Sequence, residues 1–139
     1  MTNVMICIKG KNEVDEVAEP VEMYAEGKLY KKGNAYYLRY DETEVTGMEG
    51  TTTTIKIIEN CIHMVRKGTV NSHMIFENGK RSKSFYDTFY GVFMLEIYTT
   101  EVSSDFNENG GNLELKYRIN IDNQSSCENF FNIHVRPIV

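Results

Sequence analysis

Arg66, Met64, Met74 and Phe76 are the residues whose types and spacing come closest to a binding chemistry. They lie in CIHMVRKGTVNSHMIFENGK, residues 61 to 80, which reads as strand, turn and strand. A three-residue turn at 67 to 69 puts Ile62, Met64 and Arg66 on the same face as Ser72, Met74 and Phe76. That face is an apolar wall with one cation near its end. A pocket for a small apolar or amphipathic ligand needs this composition, the cation orienting an acidic group. The competing reading has Arg66 reach out at a rim or pair with a nearby glutamate, while the methionines fill an irregular core. Tyr86, Thr88 and Tyr90 follow at i, i+2 and i+4, so Tyr86 and Tyr90 are expected to bring hydroxyls to the same interior or its mouth. Thr53 and Ile55 share a strand face that can join them.

The same turn sets His63 opposite His73, with Cys61 on their face, and these are zinc-type ligands. A turn one residue shorter would part the histidines onto opposite faces. Ordinary strand histidines are the expectation, and no metal or other cofactor is assigned. No nucleophile elbow and no HExxH motif occur, and the serines have no histidine or acid at a telling spacing, so no catalytic residue is assigned and an enzyme ranks below a binding protein. EVTGMEGTTTTIKI, residues 44 to 57, is glycine-rich but leads into a β-branched strand. A phosphate-cradling loop would lead into a helix.

The elements that must position these residues have a period of two. In NLELKYRINI, Leu113, Leu115, Tyr117, Ile119 and Ile121 alternate with polar residues, the pattern of a strand with one dry face. Val4, Ile6 and Ile8 alternate likewise, as do Tyr36, Leu38 and Tyr40, then Ile55 and Ile57, and Phe131, Ile133 and Val135. Turn signals separate the runs at Gly33-Asn34, Glu59-Asn60, Lys67-Gly68-Thr69, Asn78-Gly79, Asn109-Gly110-Gly111 and Asp122-Asn123. Asn78-Gly79 suits a type I′ hairpin. Residues 12 to 27, interrupted by Pro20 and Gly27, hold one helical turn at most. About 8 to 10 strands joined by short turns cannot stay a flat open sheet, so the fold class is all-β, an antiparallel up-and-down β-barrel. The stretches long enough for a sandwich crossover are 10 to 21 and 101 to 109.

The 139 residues fit a single domain, 1–139. A net charge of −5 without a basic stripe argues against nucleic acid. Cys7, Cys61 and Cys127 are odd in number and widely spaced, which opposes a disulfide framework and favours a reducing cytoplasm. The N-terminal apolar run is too short for a signal segment or a membrane span.

The succession KLYKKGNAYYLRYDETEVTGMEGTTTTIKI, VRKGTVNSHMIFENGKRSKSFYDTFYG and NGGNLELKYRINI closely resembles the YwiB-like family of small, uncharacterised bacterial β-barrel proteins. The likeness spans roughly Met5 to Val135 and rests on TGMEGTTTT combined with R-x-G, M-x-F and Y-x-T-x-Y-G elements. It implies a lipocalin-like, calycin-type barrel, no transferable catalytic residues and, by fold analogy, small-ligand binding. Phe89 departs from the proline or small residue expected before Tyr90-Gly91. The rival function is a protein-interaction or structural module with a packed barrel whose exposed edge or loops bind a partner; on either reading the protein is a monomer or homodimer. An enclosed cavity would favour the ligand, and a filled interior the module.

Overall fold

The computed structural model describes residues 1–12, 21–44, 47–121 and 128–138. The strands are β1 (Thr2–Asn12), β2 (Val21–Lys32), β3 (Ala35–Asp41), β4 (Thr51–Ile58), β5 (Cys61–Gly68), β6 (Asn71–Glu77), β7 (Arg81–Thr88), β8 (Gly91–Asn107), β9 (Gly110–Ile121) and β10 (Glu128–Pro137). Each pairs antiparallel with its neighbours in sequence, and β1 pairs with β10, so the ten strands close an up-and-down barrel. Closure removes both sheet edges.

Alternation decides what faces inward. On β4 every second residue is buried, so Thr51, Thr53, Ile55 and Ile57 look into the barrel while Thr52, Thr54 and Lys56 look out. Val4, Ile6, Leu38, Ile55, Ile62, Ile97, Leu113, Leu115 and Ile133 have 0% exposure, which leaves no water-sized void against any of them. This part of the interior is packed solid.

Two stretches depart from the sequence expectation. Residues 21 to 27 are strand rather than a helical turn, while Pro20 falls outside the described residues. The inward positions of β2 include Ala25 and Gly27, which hide its apolar period. A Cβ on Gly27 would lie 2.5 Å from the Arg39 carbonyl oxygen and 2.6 Å from Ile6 Cδ1, so the wall closes only with glycine there. Residues 101 to 107 are not a crossover but the continuation of β8, which runs 17 residues. A register shift between Thr99 and Glu101 lets it bend, and the Phe106 ring packs against Tyr36 at 6.3 Å.

The Asn78-Gly79 turn also differs. Gly79 has φ of 76° but Asn78 is not in the left-handed region, so the turn is not type I′. A turn whose positive φ falls only at its second central residue is not one of the primed types that match the strand twist, and β6 and β7 accordingly pair only at Asn71↔Asp87 and Ser72↔Tyr86. Beyond that point Ser84 Oγ donates to the His73 carbonyl oxygen at 2.7 Å, a side chain replacing a ladder bond. The Asp122-Asn123 turn and Cys127 lie outside the described residues, and Cys7 and Cys61 are half-buried free thiols.

Candidate functional site

One cross-strand row gathers polar side chains at a single level of the interior, while Thr51, Ser84 and Thr99 are buried outside it. Tyr40 opposes Thr53, Thr53 opposes Arg66, Arg66 opposes Ser72 and Ser72 opposes Tyr86. Five neighbouring strands, β3 to β7, thus each supply one inward polar side chain at the same level. Below the row lie Ile55, Met64 and Met74, and below those Ile62 and Phe76.

The row depends on the β5–β6 turn. Its central residues are 68 to 70 rather than 67 to 69, because Asn71 Nδ2 donates to the Gly68 carbonyl at 2.9 Å and Asn71 Oδ1 accepts from Gly68 N at 3.2 Å. His63 therefore opposes Ile75, and His73 opposes Val65. The displacement is by two residues, so every side chain keeps its expected face. Gly68 has φ of 132°, and a Cβ there would overlap the Gly50 carbonyl. Thr69 N donates to that carbonyl at 3.4 Å, and Val70 N donates to Thr51 Oγ1 at 3.1 Å. These contacts seat the β3–β4 loop on the β5–β6 turn, and the loop brings in Glu42.

Glu42 is the residue the sequence reading lacked. It is buried, accepts a 2.6 Å hydrogen bond from Thr53 Oγ1, and its backbone N–H donates to the Thr51 carbonyl at 2.8 Å. Arg66 Nε stands 3.8 Å from Glu42 Oε1, with side-chain exposures of 11% and 1%. Arg66 is thus paired with a glutamate inside the barrel. Among the described residues its Nε has no hydrogen-bond acceptor, and neither has the buried Ser72 hydroxyl on the residue directly opposite; the Thr99 hydroxyl on β8 is likewise buried without a partner among them. Burial, reinforced by Glu42, pushes the Tyr40 phenol above its ordinary value, with Arg66 pulling the other way. Burial likewise raises the Tyr117 phenol against the same guanidinium.

The other expected lining residues divide. Thr53, Ile55, Met64, Met74 and Phe76 are interior, and Tyr86 is half-buried with its hydroxyl donating to Met48 Sδ at 3.4 Å. Tyr90 does not line the interior. It sits with Phe89 in the two-residue turn between β7 and β8, 90% exposed, because the strand ends at Thr88, whose hydroxyl accepts from Tyr90 N and donates to the Gly91 carbonyl. The segments behind the family likeness meet here: Met48, Thr51 and Thr53, then Arg66 and Gly68, Met74 and Phe76, and Tyr86.

The histidines lie on the outer wall, His63 Nδ1 and His73 Nε2 being 2.9 Å apart. Cys61 opposes Glu77, and among the described residues no three ligand-type side chains gather. Burial first, then His73 and Lys56, lower the His63 pKa, opposed by Glu77. The folded protein thus resists a proton that the unfolded chain accepts, so stability is complete above the unfolded value of about 6.5 and declines as pH falls below it. Urea unfolding at pH 7.5 and 5.5 is expected to show this loss, and His63→Gln to reduce it.

Clefts of about 460, 350, 290 and 380 Å³ lie on the wall and rim. The first is floored by the outward Arg39, Thr52, Thr54, Val65 and Lys67, and its Thr52 hydroxyl is committed to Asp41 at 2.9 Å. Among the described residues no helix is long and apolar enough to cross a membrane.

The Bacillus subtilis (strain 168) protein described as uncharacterized beta-barrel protein YwiB is 27% identical over 129 residues, covering 92% of this chain and 89% of that protein. The crystal structure of the ywiB protein from Bacillus subtilis superposes with a TM-score of 0.87 at 23% identity, covering 99% of this chain and 93% of that one, so the two share a fold. Residues 6–133 match the domain of unknown function DUF1934, and the chain, a small β-barrel protein, belongs to that family.

Proposed function

We propose that the polar end of the barrel binds a small amphipathic molecule whose acceptor group, a carboxylate or a carbonyl, sits against Arg66 and Ser72. The observation that carries this reading is the pair of buried donors without acceptors, Arg66 Nε and Ser72 Oγ, on directly opposed residues. Buried donors are ordinarily satisfied, and two adjacent ones call for a single acceptor between them. The apolar part then lies against Met74 and the half-buried Tyr86 at the level of the row, above the packed Met64 and Phe76. Met74 and Ser72 keep 7% and 8% exposure against 3% at Met64 and 1% at Phe76, which supports a shallow approach beside β6 rather than entry along the axis. Glu42 leaves the site near neutrality, which favours a weakly acidic or neutral acceptor over a multiply charged one. On this reading the protein is cytoplasmic and uses one end of a lipocalin-like barrel rather than a central cavity.

Ser72→Ala separates binding from stability. Removing a buried hydroxyl that has no partner is expected to leave the fold unchanged or up to about 1 kcal/mol more stable, while the ligand, losing a donor, binds about tenfold more weakly. Native mass spectrometry of protein from its own type of host, before and after denaturation, tests the reading. A retained small mass that Ser72→Ala diminishes supports it. A clean apo mass, together with no NMR shifts at Arg66, Ser72 and Tyr86 on adding octanoate, overturns it.

A further inference from the structure

The outer face of the β7–β8 hairpin carries an apolar patch of a kind that a solvated wall does not need. Phe85, Val92 and Met94 are 64%, 61% and 46% exposed, and Phe89 and Tyr90 at the tip are more so. The register is Lys83↔Glu96, Phe85↔Met94 and Asp87↔Val92, so the apolar pair at the centre has a cation two residues before it on β7 and an anion two residues after. Arg81 holds Glu96 at 3.4 Å. Lys83 and Asp87 enter no ion pair among the described residues.

We infer that this face docks a second copy of the chain, packed face to face about a two-fold axis that crosses both strands at the Phe85–Met94 pair. Residues two apart on a strand are about 6.8 Å apart. A rotation that lays Phe85 over Phe85 of the second copy therefore carries Lys83 over Asp87 of the second copy, and the reverse contact forms by symmetry. The two lysines and two aspartates that have no ion pair among the described residues are matched, while Glu96 keeps Arg81. Phe85, Met94 and Val92 fill the roughly 10 Å between stacked sheets. An apolar centre with a charged rim is the anatomy of a specific interface, and exposed apolar patches of this concentration mark contact sites.

Sedimentation velocity on the full chain over a concentration series tests the inference. A reversible dimer is expected, and Phe85→Glu is expected to leave a monomer with unchanged circular dichroism and the melting temperature of the dilute, dissociated wild type. Lys83→Asp and Asp87→Lys, each setting like charges against each other, are expected to weaken association about tenfold, and the double variant to restore it to within about threefold of wild type. A chain monomeric at every concentration overturns the inference, whether or not it sediments with phosphatidylglycerol vesicles. So does a dimer indifferent to Phe85→Glu, or single-variant losses that the double variant does not repair.

Discussion

Glu42→Ala is expected to destabilise the protein by about 3–5 kcal/mol, because it strands a guanidinium that is almost wholly inside the barrel. The desolvation cost of Arg66 is met in the native state by the carboxylate, and Thr53 loses its acceptor at the same time. Arg66→Met is expected to cost a similar amount by leaving the carboxylate without its cation. The double variant Glu42→Leu with Arg66→Met is expected to recover most of either loss, since two apolar side chains need no desolvation to be repaid. Urea unfolding of the four proteins at neutral pH is the measurement. Losses that simply add would show that the two side chains act independently, despite the 3.8 Å between Nε and Oε1.

A buried pair of this kind is a poor way to gain stability, because an apolar pair would serve as well. Its consequence here is positional. Glu42 lies just past the end of β3 and Arg66 near the end of β5, so their attraction holds the β3–β4 loop at the mouth of the row. The loop in turn brings Met48 to the Tyr86 hydroxyl.

How far the sequence discloses this arrangement follows from what each signal depends on. The inward faces of β1, β4 and β9 are legible because alternation depends only on local residue type. So is the shared face of Arg66, Ser72, Met74 and Phe76, since a displacement by two residues leaves faces unchanged. The pairing Arg66↔Ser72 is not legible, because it depends on Asn71 folding back on Gly68, which a glycine-threonine turn does not announce. Tyr90 is misplaced for a related reason: Phe89-Tyr90 carries no turn residue, and the strand pattern of Tyr86 and Thr88 reads through it. Glu42 escapes entirely. It continues the inward phase of Leu38 and Tyr40 past the end of β3, its N–H on the Thr51 carbonyl, but a glutamate among other acidic residues reads as the end of the dry face. A reader who knew each turn length could have written the row Tyr40, Thr53, Arg66, Ser72, Tyr86 by counting, and the sequence leaves those lengths open.

Phe76→Ala is expected to cost about 3–5 kcal/mol and to lower the melting temperature by about 10–15 °C. Phe76 is 1% exposed and meets the Tyr117 ring from across the barrel at 4.8 Å and 60°, an edge-on contact that adds about 1 kcal/mol to its burial. It lies where β6 and β7 have parted, so no ladder bonds hold β7 close enough to collapse into the space that alanine leaves. The cost should therefore fall toward the upper end of the range. Phe89→Ala, at the exposed hairpin tip, is expected to change stability by less than about 0.5 kcal/mol. Thermal unfolding of both variants checks the register of the whole β6–β8 region. If the two losses were equal, or their order reversed, the face assigned to Phe76 could not be the inner one, and the packed lower barrel would have to be rebuilt around a different strand phase.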